Sequence, residues 1–429
     1  MFLQIRNLRS TLVNSTLAGN SLRLFLVNLS IQAISILTLP FFTRIYTPAD
    51  YGVWGIFLFV SGMVSVIASL RFEYAIMIPA SDEDAASLVN VSKTFNFFFL
   101  IAFSVICLLF KNYLIDLFRL PGSYFIILLL PINTFFTGYN NILIQWVSRK
   151  KMFNKLSMMR LVQTMMNLLL SFIFGYLMHM KFEGLILATV LSLIVADLYM
   201  AFSSGINLFG GFIFNRQALK SYTVKFKNFV QYSTPLALLN YGTGNILSYI
   251  LQAGYGSGVT GFYTNAQRLV QAPFSLISSS FSSVFYQHFS KSASRLKLIT
   301  VAFGGLLLIF TVILLPLIFF GDEIIVWYLG DSWLQSAQFI RYLAFITILS
   351  YSMGSISTLF AFYQKEKIVL VWQIIFLAVT LIIFILFRNN LTLSMWLYSF
   401  TGGCAYIILF IIGYLLVKRT EHREVVHKN

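Results

Sequence analysis

Thr264, Arg268, Gln271, Ser275, Ser278 and Ser282 follow alternating steps of four and three residues, the spacing that aligns side chains on one face of an α-helix. The surrounding stretch, 260–286, is long enough to cross a bilayer. A charge at membrane depth costs about 2.5–3.5 kcal/mol even on a lenient insertion scale. Arg268 and Gln271 on a shared face therefore point to water or a polar ligand, not to lipid. A guanidinium offers a fork of donors matched to phosphate oxygens, so the chemistry expected is non-covalent recognition of an anion.

Other spans carry related faces. Asn28, Gln32, Ser35 and Thr38 share one side of the first, with Arg23 a turn or so nearer the chain start. Ser61, Ser65 and Ser69 recur at intervals of four in the second, and Asn240, Gly244, Ser248 and Gln252 do so in the seventh. Small residues also permit close helix packing, which accounts for the second span and part of the seventh but not for the Arg268 face. A water-filled cavity lined by the first, second, seventh and eighth spans accounts for all four. Arg23, Arg268 and Arg341 are opposed by one intramembrane acid, Asp197, so this cavity should prefer an anion. The substrate-contact set expected from the sequence is Arg268, Arg23, Gln271, Asn28, Gln32 and Arg341. Arg341, near the outer end of its span, can equally reach the headgroups, and Arg23 can do so on the inner side. Asp197 is the candidate ion-coupling group, since a carboxyl at depth can exchange a proton between states; a hydrogen-bonded packing role fits it as well.

Little else in the chain could do chemistry. His179, His288, His422 and His427 fall in loops or the tail without metal-ligand spacing. Cys107 and Cys404 lie in apolar runs and read as packing residues. Asp322, Glu323 and Asp331 are the nearest approach to a carboxylate site, with no His or Arg expected to accompany them. No catalytic residue, metal or cofactor is expected.

The elements that must position these faces are about 12 apolar segments, running from 21–43 to 393–417, each able to span the roughly 30 Å hydrocarbon core. The expected class is an all-α polytopic membrane protein: two pseudo-symmetric six-helix bundles around a central cavity. The longest connection, 208–229, carries Arg216, Lys220, Lys225 and Lys227 and separates an N-terminal bundle, 1–207, from a C-terminal bundle with a short tail, 230–429. Basic residues divide 22 to 5 between alternate sets of connections, which places both termini in the cytoplasm. That same asymmetry explains the net charge of +16 without nucleic acid. With 58% hydrophobic and 10% charged residues, the chain has no soluble-core composition, and Met1 to Leu12 has no apolar core that would read as a cleaved signal. Aligning Tyr46, Gly52 and Trp54 with Tyr255, Gly261 and Tyr263 suggests duplication of the six-span unit.

The turn Arg44-Ile-Tyr-Thr-Pro-Ala-Asp-Tyr-Gly and the segment Leu70-Arg-Phe-Glu-Tyr-Ala-Ile-Met-Ile-Pro, followed by Asp82-Glu-Asp-Ala-Ala, resemble the Wzx-type O-antigen flippases of the MOP superfamily. The resemblance covers the chain as a layout, with its distinctive wording between residues 40 and 90. It implies alternating-access transport of an undecaprenyl-diphosphate-linked oligosaccharide, an O-antigen or similar unit of lipopolysaccharide biosynthesis, across the bacterial inner membrane. It also implies a polysaccharide polymerase and a chain-length regulator as partners. Phe262-Tyr-Thr-Asn-Ala-Gln-Arg268-Leu is similar to a Tyr-Ala-Asp-Arg-Leu stretch of the lipid II flippases, which would put Arg268 in the cavity; Gln267 stands where those relatives have an acid. The competing readings are a membrane-embedded polysaccharide polymerase or ligase and a multidrug exporter of the same superfamily. The first needs a sizeable outer loop, which is lacking here, and the second would want acids in the cavity.

Overall fold

In hydrocarbon a backbone N–H or C=O finds no water, so apolar runs of this length become helices that pair these groups internally. The computed structural model describes residues 16–121, 124–207, 210–227, 229–292 and 294–426; the side chains of 16–25, 218, 283 and 422–426 fall outside that description. The long helices are α1 (Thr16–Ile45), α2 (Pro48–Ala68), α3 (Asp82–Leu109), α4 (Tyr124–Arg149), α5 (Phe153–Phe172), α6 (Phe182–Ser204), α7 (Thr234–Tyr255), α8 (Ser257–Lys291), α9 (Arg295–Phe319), α10 (Gln335–Ile356), α11 (Glu366–Leu386) and α12 (Leu391–Val426). Among the described residues there is no strand, and ten helices are long and apolar enough to cross a membrane. Neither α7 nor α8 is among the ten. These are two of the helices whose sequence carries polar stripes.

Two compact units divide the chain, 1–257 and 258–429. The sequence reading divides it earlier, at 208–229. The difference is α7, which packs on α2 inside the first unit. Phe59 stacks against Tyr241 and Tyr249, the Tyr241 hydroxyl donates to the Leu58 carbonyl at 3.2 Å, and Gly62 leaves the space this hydroxyl fills. A Cβ on Gly52 would lie 1.9 Å from the Ser257 carbonyl oxygen, so glycine is required where α2 meets the turn that follows α7.

The turn before α2 organises one end of this unit. Thr47 is the N-cap: its hydroxyl accepts from Asp50 N at 3.3 Å, while Asp50 Oδ2 accepts from Thr47 N at 2.9 Å, and Pro48 occupies the first helical position, where no N–H is needed. The second carboxylate oxygen, Asp50 Oδ1, accepts from Phe182 N at 3.0 Å. One buried carboxylate thus holds the N-terminal ends of both α2 and α6, where the helix dipoles favour negative charge. Next to it, the Tyr46 hydroxyl donates to the Ser171 carbonyl at 2.8 Å. The end of α5 widens there into a π-turn, Ile173–Leu177, in which a Cβ on Gly175 would lie 2.5 Å from that hydroxyl.

At the opposite end of α2 the chain reverses through Leu70 and Arg71, both left-handed at φ 51° and 62°. A non-glycine residue is disfavoured in that region. Burial of Phe72, Ala75 and Ile76 against Ile142 and Phe226 holds it there. Arg149 completes the turn by donating to the Ile76 carbonyl at 3.0 Å and pairing with Asp82 at 3.1 Å, while Ser81 caps α3. Two basic residues lie within the helices themselves, Lys93 in α3 and Arg160 in α5. Lys93 is buried and donates to the carbonyls of Asn207 and Gly210, which fastens the segment after α6 onto α3.

Glu73, in the short helix Phe72–Ala75, is also buried, accepts a hydrogen bond from the Ser69 hydroxyl and lies 3.7 Å from Arg71. Burial pushes its carboxyl above the usual glutamate range, with the Ser69 bond and Arg71 opposing the shift. An acid raised in this way stabilises the fold in its protonated form, fully so below the unfolded value, and that contribution is lost as pH rises through the folded one.

Two expectations follow from these turns. Asp50→Ala removes one arm of the capping box and leaves both Thr47 N and Phe182 N without their acceptor, so thermal melts of the solubilised protein should show a loss of about 2–4 kcal/mol. Glu73→Gln, which keeps an acceptor for Ser69, should flatten the decline in Tm between mildly acidic and alkaline pH; parallel wild-type and mutant curves would exclude a titrating Glu73.

Candidate functional site

In the second unit, the polar face of α8 is graded from buried to exposed. Thr264 is buried and its hydroxyl donates to the Thr260 carbonyl at 2.8 Å. Arg268 and Ser275 are half-buried, Gln271 is exposed, and Ser278 accepts from Ser355 Oγ of α10 at 2.7 Å. No Asp or Glu occurs between Asp197 and Asp322, so neither α8 nor α9 supplies a carboxylate to Arg268. Asn265, three residues before Arg268, is fully buried with no hydrogen-bond partner on either side-chain polar atom.

Arg341 has a different environment. Its guanidinium pairs with Asp322 at 2.9 Å and donates to the Ile318 carbonyl at 3.0 Å, which ties α10 to the end of α9 and the turn after it. That arrangement makes Arg341 a structural clamp on its own unit, and it gives the Asp322 acid cluster the arginine that the sequence pattern lacked.

The first unit contains the α1 face and Asp197. Asn28 and Gln32 are half-buried on α1, whereas the side chain of Arg23 lies outside the described residues. Asn28 Oδ1 accepts from Arg160 of α5 at 3.0 Å. Asp197 on α6 is 0% exposed, and its Oδ1 accepts from Asn140 Nδ2 of α4 at 2.6 Å. The same amide lies 3.6 Å from the sulfur of Met159, the residue before Arg160. Asp197 Oδ2 has no hydrogen-bond partner; neither has the hydroxyl of Tyr139, which lies within electrostatic reach of this carboxylate.

Two polar contacts therefore join helices of this unit, Arg160 with Asn28 between α5 and α1 and Asn140 with Asp197 between α4 and α6. Sequence reasoning found one member of each, Asn28 and Asp197, and missed Arg160, Asn140 and Tyr139. One signal was legible: Asn133, Thr137 and Asn140 follow helical steps of four and three along α4. Arg160 was hidden by its place near four other basic residues, Arg149, Lys150, Lys151 and Lys155, which made it look like part of a charged connection.

An opening in the second unit is apolar. A groove of about 790 Å³ between α11 and α12, lined by Trp372, Phe376, Phe400 and Ile408 with Lys367 among its few polar residues, suits hydrocarbon and not an anion.

Comparison with known proteins places this geometry in a family. The model of a family described as polysaccharide biosynthesis protein matches residues 41–338. No curated protein matches the chain in sequence. Among solved structures, the lipid II flippase MurJ in an inward closed conformation is similar at 14% identity and a TM-score of 0.70, over 94% of this chain and 90% of that one. An inward-facing multidrug resistance MATE family transporter of the MOP superfamily is similar at 16% identity and a TM-score of 0.63, over 93% and 98%. A MOP superfamily transporter from Pyrococcus furiosus, described as having a binding pocket of reverse polarity, is similar at 16% identity and a TM-score of 0.56, over 94% of each chain. At these identities the likeness shows the polytopic helical fold that the sequence led us to expect.

Proposed function

The chain belongs to the polysaccharide biosynthesis protein family, and from that premise we propose that it is a flippase for a polyprenyl-diphosphate-linked oligosaccharide. In this reading it carries an undecaprenyl-diphosphate-linked unit from the inner to the outer leaflet of a bacterial inner membrane by alternating access. Both termini are cytoplasmic, and no covalent step is catalysed. The observation that carries the proposal is Arg268, a half-buried arginine within a long, polar helix whose own residues and those of the next helix include no carboxylate. A diphosphate leaving water can exchange part of its hydration for such a guanidinium while its hydrocarbon tail stays in lipid. The buried Asn265 amide, lacking partners, could donate to the same head group. Gln271 is exposed on the same face, and Asn28, Gln32 and Arg23 are the corresponding contacts proposed on α1.

The same acid-poor region argues against an exporter of organic cations, which would seek negative charge. Asp197 takes the coupling role. Its unpartnered Oδ2 is where a proton would add, and Asn140 holds the other oxygen in either state. Arg341, paired with Asp322, is not needed for the substrate.

Arg268→Ala should reduce surface polysaccharide about 10- to 100-fold, the loss expected for a charge-assisted hydrogen-bonded contact, while membrane insertion and protein level stay near wild type. Arg268→Lys should restore only part, since a point charge keeps the attraction without the fork. Wild-type export by correctly inserted Arg268→Ala would rule out the proposed anion site. Asp197→Asn keeps an acceptor for Asn140, and in proteoliposomes energised only by an imposed proton gradient it should slow lipid-linked substrate transport severalfold or more. Equal rates for mutant and wild type under that gradient would remove Asp197 from coupling.

A further inference from the structure

At the Thr47 end of α2, opposite the turn that contains Glu73, the first unit has a pocket of about 720 Å³, within the range of roughly 300–1,000 Å³ usual for small-ligand sites. Its lining includes Thr47, Asp50, Arg119, Lys181, Gln252 and Gly254. Gln252 is only 2% exposed, and its Nε2 donates to the Arg119 carbonyl at 2.9 Å. Its Oε1 has no hydrogen-bond partner, so a buried acceptor on the pocket wall lacks a donor. Both oxygens of Asp50 are engaged, by Thr47 and by Phe182 N. Neither Arg119 nor Lys181 forms an ion pair among the described residues. The wall is kept open at Gly254, where a Cβ would meet nothing within 4 Å, and at Gly256, whose φ of 87° favours glycine.

We propose that this pocket binds an acidic sugar residue, with a saccharide hydroxyl donating to Gln252 Oε1 and a carboxylate held by Arg119 and Lys181. The inference deepens the flippase proposal and rests on it: the exported oligosaccharide would contain uronic-acid-type units, met at the end of the protein opposite its basic turns. The required chemistry combines hydroxyl donors with a localised negative charge. A neutral sugar satisfies only the first requirement and a bare phosphate only the second.

The test is calorimetric titration of the full-length protein in lipid nanodiscs with a trisaccharide of galacturonic acid, maltotriose and inorganic pyrophosphate. The uronate trimer should bind at least about tenfold more tightly than maltotriose. Gly254→Phe, which fills open space, and Gln252→Leu, which removes the acceptor, should each weaken that binding about tenfold or more with Tm within a few degrees of wild type. Absence of trimer binding to the wild type, equal binding to both variants, or preference for maltotriose overturns the proposal. Tighter pyrophosphate binding that Gly254→Phe abolishes also overturns it, since the pocket would then serve the phosphate linker. Because the titration involves no transport, these failures leave the flippase reading standing; that reading falls on the export phenotype of Arg268→Ala.

Discussion

A polar group inside a bilayer has no water to turn to, and most of this structure follows from how each such group finds a partner. Backbone groups find theirs within helices. Side chains must be satisfied between helices, and the clearest case is Asp50, which serves the first turn of α2 through Thr47 and the first turn of α6 through Phe182. A carboxylate at a helix N-terminus is favourable alone; joined to two, it sets where α2 and α6 start relative to each other. Tyr46, Gly175 and Gly52 then place α5 and the turn after α7 around the same point.

The constraint acts in reverse at the sites where function is proposed. Asp197 Oδ2, Tyr139, Asn265 and Gln252 Oε1 are buried without a full set of partners. In a well-packed membrane protein such atoms are costly. They lie on or beside the polar faces that a transporter of a large, charged and hydroxylated cargo would need. Where a polar residue is fully partnered, as Arg341 is by Asp322 and Ile318, it behaves as part of the scaffold.

The two units differ in electrostatic character. In the first, a cation and an acid sit in separate interhelical contacts, Arg160 with Asn28 and Asp197 with Asn140. In the second, α8 carries Arg268, and neither α8 nor α9 contains an Asp or Glu in its sequence. In the proposed reading, coupling and anion recognition would be carried by different polypeptide segments, and any energetic link between them would have to run through the conformation of the whole chain.

The amino-acid sequence by itself determined the all-helical membrane class, the polar faces of α1, α7 and α8 and the singular position of Arg268. Each of these is local, written in the length of an apolar run or in a period of 3.6 residues, and so survives without knowledge of neighbours. Only the tertiary structure decided that Asp50 also holds Phe182, that Arg160 meets Asn28, that Asn140 meets Asp197 and that Gln252 closes on Arg119. These partners are 57 to 133 residues apart in the chain. Their meeting depends on the rotation and depth of one helix against another, which side-chain packing settles and hydrophobic period does not. The same reason separates the compact division of the chain from its longest loop: α7 joined the first unit because its aromatic face fits Phe59 and Gly62 on α2, a complementarity visible only once both helices stand side by side.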